Sequence, residues 1–297
     1  MAIEGAFAAV ITPRDTNGAI DETGLRRWLE FLMDRGIKGF AVNGATGEFC
    51  QTSEAEFDRL ISVAAETVKG RASILAGVGA ANADGAIRLA KLATRCGADA
   101  LLLPMPYFFR YSQGDLKMFS RTVAAAVRTP VLLYNLPQFT TGLDAETSLE
   151  LIRDCDGIIG IKDSSGSLET LRLLTSERVK AARLIGNDEV IAKAMTEGIL
   201  DGVVSGVACV LPELISGLWQ QGCVRAEGYE FDELAAALLL FIGQLDGFPT
   251  PWGLKIAGDA RGLSPAQCPF PASPERERRA DEFKRWFEEH KERLKAK

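Results

Sequence analysis

Residues 191–204, IAKAMTEGILDGVV, contain the pattern on which the fold prediction depends. Apolar residues at helical spacing are followed by Gly198, and a short apolar strand begins at Gly202. Glycine often ends a helix, because it adopts the left-handed backbone conformation without strain. The same order of helix, glycine and strand recurs around Gly36 and Gly97, which indicates a repeated βα unit.

Extending this pattern in both directions predicts eight strands, each followed by a helix. The predicted strands span residues 7–11, 39–42, 73–77, 100–103, 131–134, 157–161, 183–185 and 202–204. Eight βα pairs in about 220 residues are typical of a closed (β/α)8 TIM barrel. An open doubly wound sheet is the alternative, but the first βα turn, Thr12-Pro13-Arg14-Asp15, lacks a glycine-rich phosphate loop. We therefore predict an α/β protein with a barrel at residues 1–222.

The strand pattern stops after residue 222, so residues 223–297 are predicted to form a C-terminal helical extension. Helices are expected there at residues 227–245, 252–260 and 274–297. The last of these is highly charged, but Phe283, Trp286 and Phe287 share one face at helical spacing. We expect this aromatic face to pack on the barrel or on a neighbouring subunit.

Composition excludes several classes of protein and of active site. The 297 residues include 34 basic and 40 acidic side chains, a net charge of −6 that does not suggest a nucleic-acid-binding surface. No apolar run is long enough to span a membrane and no signal-peptide pattern is present, so we expect a cytoplasmic protein. The single histidine, His290, excludes a zinc site with two histidine ligands, and six widely spaced cysteines indicate reduced thiols. Acid–base chemistry must therefore use lysine, tyrosine, carboxylates, thiols or water.

The predicted sixth strand runs into Lys162, and the fifth ends at Tyr134. Active sites of TIM barrels lie at the carboxyl ends of the strands, which are about 4.8 Å apart, so both side chains can enter one site. An apolar setting favours the neutral amine of a lysine, which attacks ketones to form a Schiff base, and a nearby phenol can move protons. The alternatives are an ion pair between Lys162 and Asp163 and a packing role for Tyr134.

A turn bracketed by glycines follows the second strand, with the sequence Gly44-Ala45-Thr46-Gly47-Glu48. Backbone N–H groups exposed in such a turn can bind an anion such as a carboxylate. Glycine turns are common in βα loops, so this turn is consistent with an anion site but does not establish one.

Four motifs, in this order along the chain, resemble those of the N-acetylneuraminate lyase and dihydrodipicolinate synthase superfamily of class I, pyruvate-dependent aldolases. They are GATGE at 44–48, PMPYF at 104–108, YNLP at 134–137 and GIKDSSG at 160–166, and the resemblance covers nearly the whole chain. It implies that Lys162 is the Schiff-base lysine and Tyr134 the proton-relay phenol. It also implies that Ala45 and Thr46 bind the 2-oxo acid carboxylate, and that the protein is a homotetramer of tight dimers without metal or organic cofactor.

Three departures from the family pattern limit what the resemblance implies about the reaction. Ala45 stands where the family usually has threonine or serine, so its relay hydroxyl is absent. Phe108 aligns with a relay tyrosine that reaches across the dimer interface, while Tyr107 stands one residue earlier. The synthase branch also has an arginine after its YNxP motif that binds a second carboxylate, whereas residues 138–141 here read QFTT. Arg110 is the only suggested substitute for that arginine.

The loop after the seventh strand, Gly186-Asn187-Asp188-Glu189, resembles the sugar-acid lyases, which hold a hydroxylated substrate tail there. Asp188 and Glu189 are therefore candidate substrate-binding residues, although acidic residues also favour the start of a helix. Ser164 and Ser205 could add polar contacts to substrate, or could serve as turn and cap residues.

These observations predict a Schiff-base-forming aldolase or lyase that acts on a 2-oxo acid substrate. Pyruvate is expected as one half of the reaction, and a short hydroxylated aldehyde as the other, as in 2-keto-3-deoxy sugar-acid aldolases. The alternatives are a 2-keto-3-deoxy acid dehydratase on the same fold, dihydrodipicolinate synthase itself, and a non-catalytic relative that binds 2-oxo acids.

Overall fold

A computed structural model describes residues 3–224, 226–268 and 270–295, and it contains the predicted closed barrel. Eight parallel strands pair in chain order, and β1 closes the barrel by pairing with β8. The strands are β1 Gly5–Ala9, β2 Gly39–Val42, β3 Ser73–Gly77, β4 Ala100–Pro104, β5 Val131–Asn135, β6 Ile158–Asp163, β7 Ala182–Ile185 and β8 Gly202–Ser205.

Eight helices alternate with the strands, and three more follow the barrel. They are α1 Glu22–Met33, α2 Glu54–Val68, α3 Ala83–Arg95, α4 Gln113–Ala125, α5 Ala145–Asp154, α6 Glu169–Ser176, α7 Ile191–Glu197, α8 Pro212–Val224, α9 Tyr229–Leu245, α10 Trp252–Ala260 and α11 Pro274–His290. Local sequence determines where several of these helices begin or end. At the start of α2, Ser53 forms a capping box with Glu56. Gly198 ends α7 in the left-handed conformation, as the opening pattern predicts.

The first strand differs from its prediction by two residues at each end, since it spans Gly5–Ala9 rather than 7–11. Val10 and Ile11 are buried and apolar, but the Ile11 amide donates to Cys209 Sγ instead of a neighbouring strand. In a barrel covered by helices, an apolar run continues past the point where strand pairing stops.

The barrel interior is filled with side chains. Phe7, Leu75, Leu102, Leu132 and other inward-facing residues form one buried cluster, separate from the larger cluster between strands and helices. Gly39 leaves room for Phe7, because a Cβ at Gly39 would lie 2.1 Å from the Phe7 ring. With its interior filled, the barrel offers space for a ligand only at its ends.

The C-terminal aromatic face packs within the extension itself. The rings of Phe283, Trp286 and Phe287 on α11 contact Phe241 of α9, and Phe283 also contacts Phe248. These ring contacts lie within the extension, and Phe283 and Phe287 also belong to the buried cluster that the extension shares with the strands and helices of the barrel. The proposed domain border at residues 222 and 223 falls inside α8. The last helix ends at His290, so its predicted extension through residues 291–295 is wrong, and residues 296–297 lie outside the described residues.

Within the described ranges, no helix combines the length and the apolar character needed to cross a lipid bilayer.

Candidate active site

Lys162 and Tyr134 lie side by side at the carboxyl ends of adjacent strands. The register between β5 and β6 places the two residues directly opposite each other. Lys162 Nζ donates a hydrogen bond of 2.8 Å to the Tyr134 hydroxyl, and both residues are almost fully buried. An amine and a phenol in direct contact can exchange a proton while the amine reacts with a carbonyl compound.

An irregularity in β6 is responsible for this register. The pairing shifts by one residue, so that Val131 faces Ile158 but Leu132 faces Gly160. Side chains alternate along a strand, and the extra residue therefore exchanges the inward and outward faces beyond it. Glycine is required at this position, because a Cβ at Gly160 would lie 2.1 Å from a backbone oxygen of β7. Without the shift, Ile161 rather than Lys162 would face Tyr134.

Asp163 does not pair with Lys162, the alternative that the sequence left open. Its carboxylate accepts hydrogen bonds from the Ser165 amide at 2.8 Å and from Asn135 Nδ2 at 3.3 Å. Asn135 Oδ1 in turn accepts from the Leu143 amide at 3.0 Å. The Asp163 carboxylate therefore binds groups of the neighbouring loops, and Lys162 donates to Tyr134 instead.

The turn after β2 is compact and held by its own backbone. The Glu48 amide donates to the Ala45 carbonyl at 3.0 Å, and the Thr12 hydroxyl donates to the Gly47 carbonyl at 2.9 Å. Among the described residues, no acceptor is bound to the amides of Ala45 and Thr46. Both residues line the same cavity as Lys162, so their amides are available to a carboxylate there.

Gly186, which follows β7, leaves the space in which Lys162 and Ser164 approach each other. A Cβ at Gly186 would lie 2.1 Å from Ser164 Oγ and 2.5 Å from Lys162 Cε. The Ser164 hydroxyl is buried and has no hydrogen-bond partner within the described part of the chain. A buried hydroxyl without a partner costs free energy, so a ligand that binds it would recover that cost.

Asp188 lies on the other side of the site, with Oδ2 accepting from the Val207 amide at 3.3 Å. Its second oxygen, Oδ1, is inaccessible to solvent and, in the residues described, unpaired. Burial raises the pKa of the Asp188 carboxyl, although the Ser205 hydroxyl, the Val207 amide and the charge of Lys162 act against this. Glu189 is exposed at the edge of the same cavity. Asp188 thus lines the cavity with a buried, unpaired oxygen, and the Glu189 carboxylate is open to it from the edge.

Ser205 differs from the other predicted binding residues, because it does not line the cavity. It is fully buried at the end of β8, and its hydroxyl accepts a hydrogen bond from the Ala208 amide at 3.0 Å. The prediction that Ser205 contacts substrate is not supported by this position. Its hydroxyl instead contacts the Ala208 amide of the short 3-10 turn at Val207–Cys209 and the Asp188 carboxylate.

We call the space around these residues the mouth cavity, a cleft of about 280 Å³ at the carboxyl ends of the strands. Its outer wall comes from the C-terminal extension, which the sequence did not predict. Ile242 and Leu245 of α9 and Leu254 of α10 present an apolar surface opposite the polar residues of the barrel. The Pro-rich sequence 249–251 before α10 was the only available sign that this segment turns back towards the barrel.

Lys162 is the only basic residue that lines the mouth cavity in the described part of the chain. Gln138, at the position after the YNLP motif, donates to the Ser164 carbonyl at 2.8 Å, and Phe139 forms part of the wall. Arg110 is exposed and does not line the cavity. The suggestion that Arg110 replaces the missing arginine is therefore wrong within this chain.

Tyr107 and Phe108 point in different directions. Tyr107 is half-buried and packs edge-on against Phe49, with ring centroids 5.8 Å apart. Phe108 is 87% exposed and adopts a positive φ of 83°, a conformation that is strained for an aromatic residue. Neither ring lines the mouth cavity of its own chain, so neither the Tyr107 hydroxyl nor the Phe108 ring can act beside Tyr134 there.

Comparisons with known proteins agree with this geometry. The sequence model of the dihydrodipicolinate synthetase family matches residues 2–290. The 4-hydroxy-tetrahydrodipicolinate synthases of Methanopyrus kandleri and Bartonella henselae are 32% and 31% identical, over 90% and 88% of this chain and 90% and 89% of theirs. The crystal structure of the chloride-inhibited dihydrodipicolinate synthase from Acinetobacter baumannii, complexed with pyruvate, has a TM-score of 0.90 at 28% identity. That match covers 96% of this chain and 98% of the other.

Proposed function

The chain belongs to the dihydrodipicolinate synthetase family and is a lyase of the class I aldolase type, and from that membership we propose that Lys162 forms a Schiff base with pyruvate. The 2.8 Å contact between Lys162 and Tyr134 carries the proposal. The pyruvate carboxylate would bind the amides of Ala45 and Thr46, which places its ketone between that turn and the lysine.

In the proposed reaction, the neutral Lys162 amine attacks the ketone carbon, and the ketone oxygen leaves as water after taking up two protons. Tyr134 is the group in position to donate and accept these protons. The iminium then withdraws electrons, so the neighbouring methyl carbon loses a proton and becomes an enamine. That carbon attacks an aldehyde, a C–C bond forms, and the aldehyde oxygen takes up a proton. Water then hydrolyses the product iminium, which restores the ketone and frees the Lys162 amine, and cleavage is the reverse of this sequence.

For the second substrate, we propose an uncharged, hydroxylated aldehyde, so that the product resembles a 2-keto-3-deoxy sugar acid. Asp188 and Glu189 offer carboxylate oxygens to vicinal hydroxyls, and the partnerless Ser164 hydroxyl lies nearby. Substrate hydroxyls also compensate for the relay hydroxyls that Ala45 and Phe108 lack. A dehydratase acting on the same acids uses the same iminium, and only product analysis separates the two reactions.

A second candidate is 4-hydroxy-tetrahydrodipicolinate synthase, which the names of the curated relatives favour. The lining of the mouth cavity argues against it, because aspartate semialdehyde carries a carboxylate for which the described cavity has no second cation. Losing a hydrogen bond to a charged group costs about 1.5–3 kcal/mol, or roughly 10–150-fold in kcat/KM.

Parallel assays on the purified enzyme test the substrate proposal. Pyruvate release from a panel of 2-keto-3-deoxy sugar acids should exceed condensation of pyruvate with aspartate semialdehyde by at least about tenfold in kcat/KM. If the semialdehyde reacts above about 10⁴ M⁻¹s⁻¹ and no sugar acid is cleaved, the synthase assignment is right.

The covalent step has a separate test. Incubation with pyruvate and borohydride should add one reduced pyruvate to the enzyme, on the peptide that contains Lys162. Lys162→Ala should abolish this labelling, because no other amine lines the described mouth cavity. Labelling that persists unchanged in the variant would show that a different group reacts, and absence of any adduct on the parent enzyme would favour the non-catalytic relative.

The homotetramer implied by the family remains part of this proposal. Phe108 and Phe109 form an edge-on pair with centroids 4.9 Å apart, and the two rings are 87% and 65% exposed. Adjacent exposed apolar rings are typical of a surface that contacts another protein chain. Sedimentation velocity would show whether the chain assembles.

A further inference from the structure

A buried ion pair joins the C-terminal extension to the turn that follows β2. Lys255 Nζ of α10 donates to Glu48 Oε2 at 2.6 Å, and both side chains are about 95% buried, with 5% relative exposure each. Lys255 Nζ also donates to the Gln267 carbonyl at 2.8 Å. The two residues are 207 positions apart in sequence, so the contact exists only once the extension has docked on the barrel.

Glu48 is the last residue of the turn that contains Ala45 and Thr46. It adopts a left-handed conformation, φ 58° and ψ 45°, which is unfavourable for a residue other than glycine. Such a conformation persists only where the surroundings enforce it. The Glu48 amide bonds back to the Ala45 carbonyl, so the conformation of Glu48 determines the shape of the turn directly.

The pair is not itself part of the mouth cavity, because neither Glu48 nor Lys255 lines it. Their neighbours do, since Thr46 precedes Glu48 by two residues and Leu254 precedes Lys255 by one. The ion pair therefore fixes the polar turn relative to the apolar wall. Burying two charges is costly, so this ion pair is weak evidence for a gain in stability, and removing one partner would leave an uncompensated buried charge.

We propose that Glu48 and Lys255 are positioning residues, which hold the turn so that the amides of Ala45 and Thr46 face the carboxylate of the 2-oxo acid. This inference rests on the proposed Schiff-base chemistry and adds the means by which the carboxylate site is kept in shape. Because no hydrogen bond or ion pair among the described residues joins Lys162 or Tyr134 to this pair, its loss should weaken recognition of the carboxylate more than it slows formation of the imine.

Two carbonyl compounds separate these effects. Pyruvate has a ketone and a carboxylate, whereas hydroxyacetone has a ketone and no carboxylate. The rate of borohydride trapping on Lys162 is measured with each compound below saturation. In Lys255→Met, pyruvate labelling should fall by about tenfold or more, equivalent to about 1.4 kcal/mol, while hydroxyacetone labelling changes by less than about threefold. A variant that only loosens the fold would lose both alike.

Arg261→Met is the matched control. Arg261 directly follows α10 and donates to both oxygens of Glu213, at 2.7 and 2.9 Å, so it also binds the extension to the barrel through a largely buried ion pair. It does not contact the turn. This variant should lower the thermal midpoint without changing the ratio of pyruvate to hydroxyacetone labelling.

Glu48→Gln provides a second measurement should Lys255→Met fail to fold. Glutamine has nearly the same volume as glutamate and keeps an oxygen acceptor for Lys255 Nζ. The ratio of pyruvate to hydroxyacetone labelling should therefore fall by about threefold or more, but by less than in Lys255→Met. The inference is overturned if a folded variant of either residue keeps the parent ratio, or if Arg261→Met lowers it equally. If the parent enzyme gives no pyruvate adduct at all, the proposed function fails, and this inference fails with it.

Discussion

Gly186→Ala should impair chemistry far more than stability. The added Cβ would lie 2.5 Å from Lys162 Cε and 2.1 Å from Ser164 Oγ. Ordinary contacts between carbon atoms are about 3.5–4.0 Å, so the lysine must move by about 1 Å or more. A displacement of about 1 Å can cost about 100-fold in rate, whereas crowding at a buried site costs about 1–3 kcal/mol of stability. The end of a lysine side chain is flexible, and we expect the stability loss to be at the low end of that range.

Gly243→Ala is the matched control for this substitution. Gly243 lies in α9, and a Cβ at this position would meet nothing within 4 Å. Alanine is favoured over glycine inside a helix by about 0.5–1 kcal/mol, so the control should be slightly more stable than the parent enzyme. The assays are borohydride trapping with pyruvate, kcat/KM for pyruvate release, and the thermal midpoint. A Gly186→Ala enzyme within about threefold of the parent rate would refute the reasoning, because Lys162 would then tolerate the shift.

The remaining predictions concern proton transfer and pH. Tyr134→Phe should keep the fold and lower kcat by about 10²–10⁴-fold in the pyruvate-release assay, since Lys162 then has no phenol beside it; a kcat within about threefold would contradict this. Burial raises the pKa of Asp188, so the folded state holds this proton more tightly than the unfolded chain, and the carboxylate lowers stability as pH rises above about 3.9. Asp188→Asn should therefore have a higher Tm than the parent enzyme at pH 7 and about the same Tm near pH 4. An equal increase in Tm at both pH values would show that the buried charge of Asp188 is not the cause.

Much of the architecture could be predicted because each βα unit carries its own local signals. The glycine after α7 and the capping serine before α2 act within a few residues, so the sequence shows them directly. The end of β1 could not be predicted this way, because it depends on where the neighbouring strands stop pairing.

The centre of the site was also accessible from sequence. Lys162 and Tyr134 end neighbouring strands, and strand order in a barrel brings them together. The shift at Gly160, which turns Lys162 inward, had only an isolated strand glycine as its sign. The contact between Glu48 and Lys255 had no local sign, because it arises from the docking of distant segments. Lys255, the lone lysine of the apolar helix α10, was the one sequence feature that could have indicated a buried partner.

The origin of the cavity wall has an evolutionary consequence. Lys162 and Tyr134, which we propose for the chemistry, lie on the barrel strands, whereas Ile242, Leu245 and Leu254 belong to helices that follow the barrel. On the proposed function, substitutions of these three wall residues change which aldehyde fits without displacing Lys162. One wall of the cavity can therefore diverge in sequence while the barrel residues proposed for the chemistry are retained.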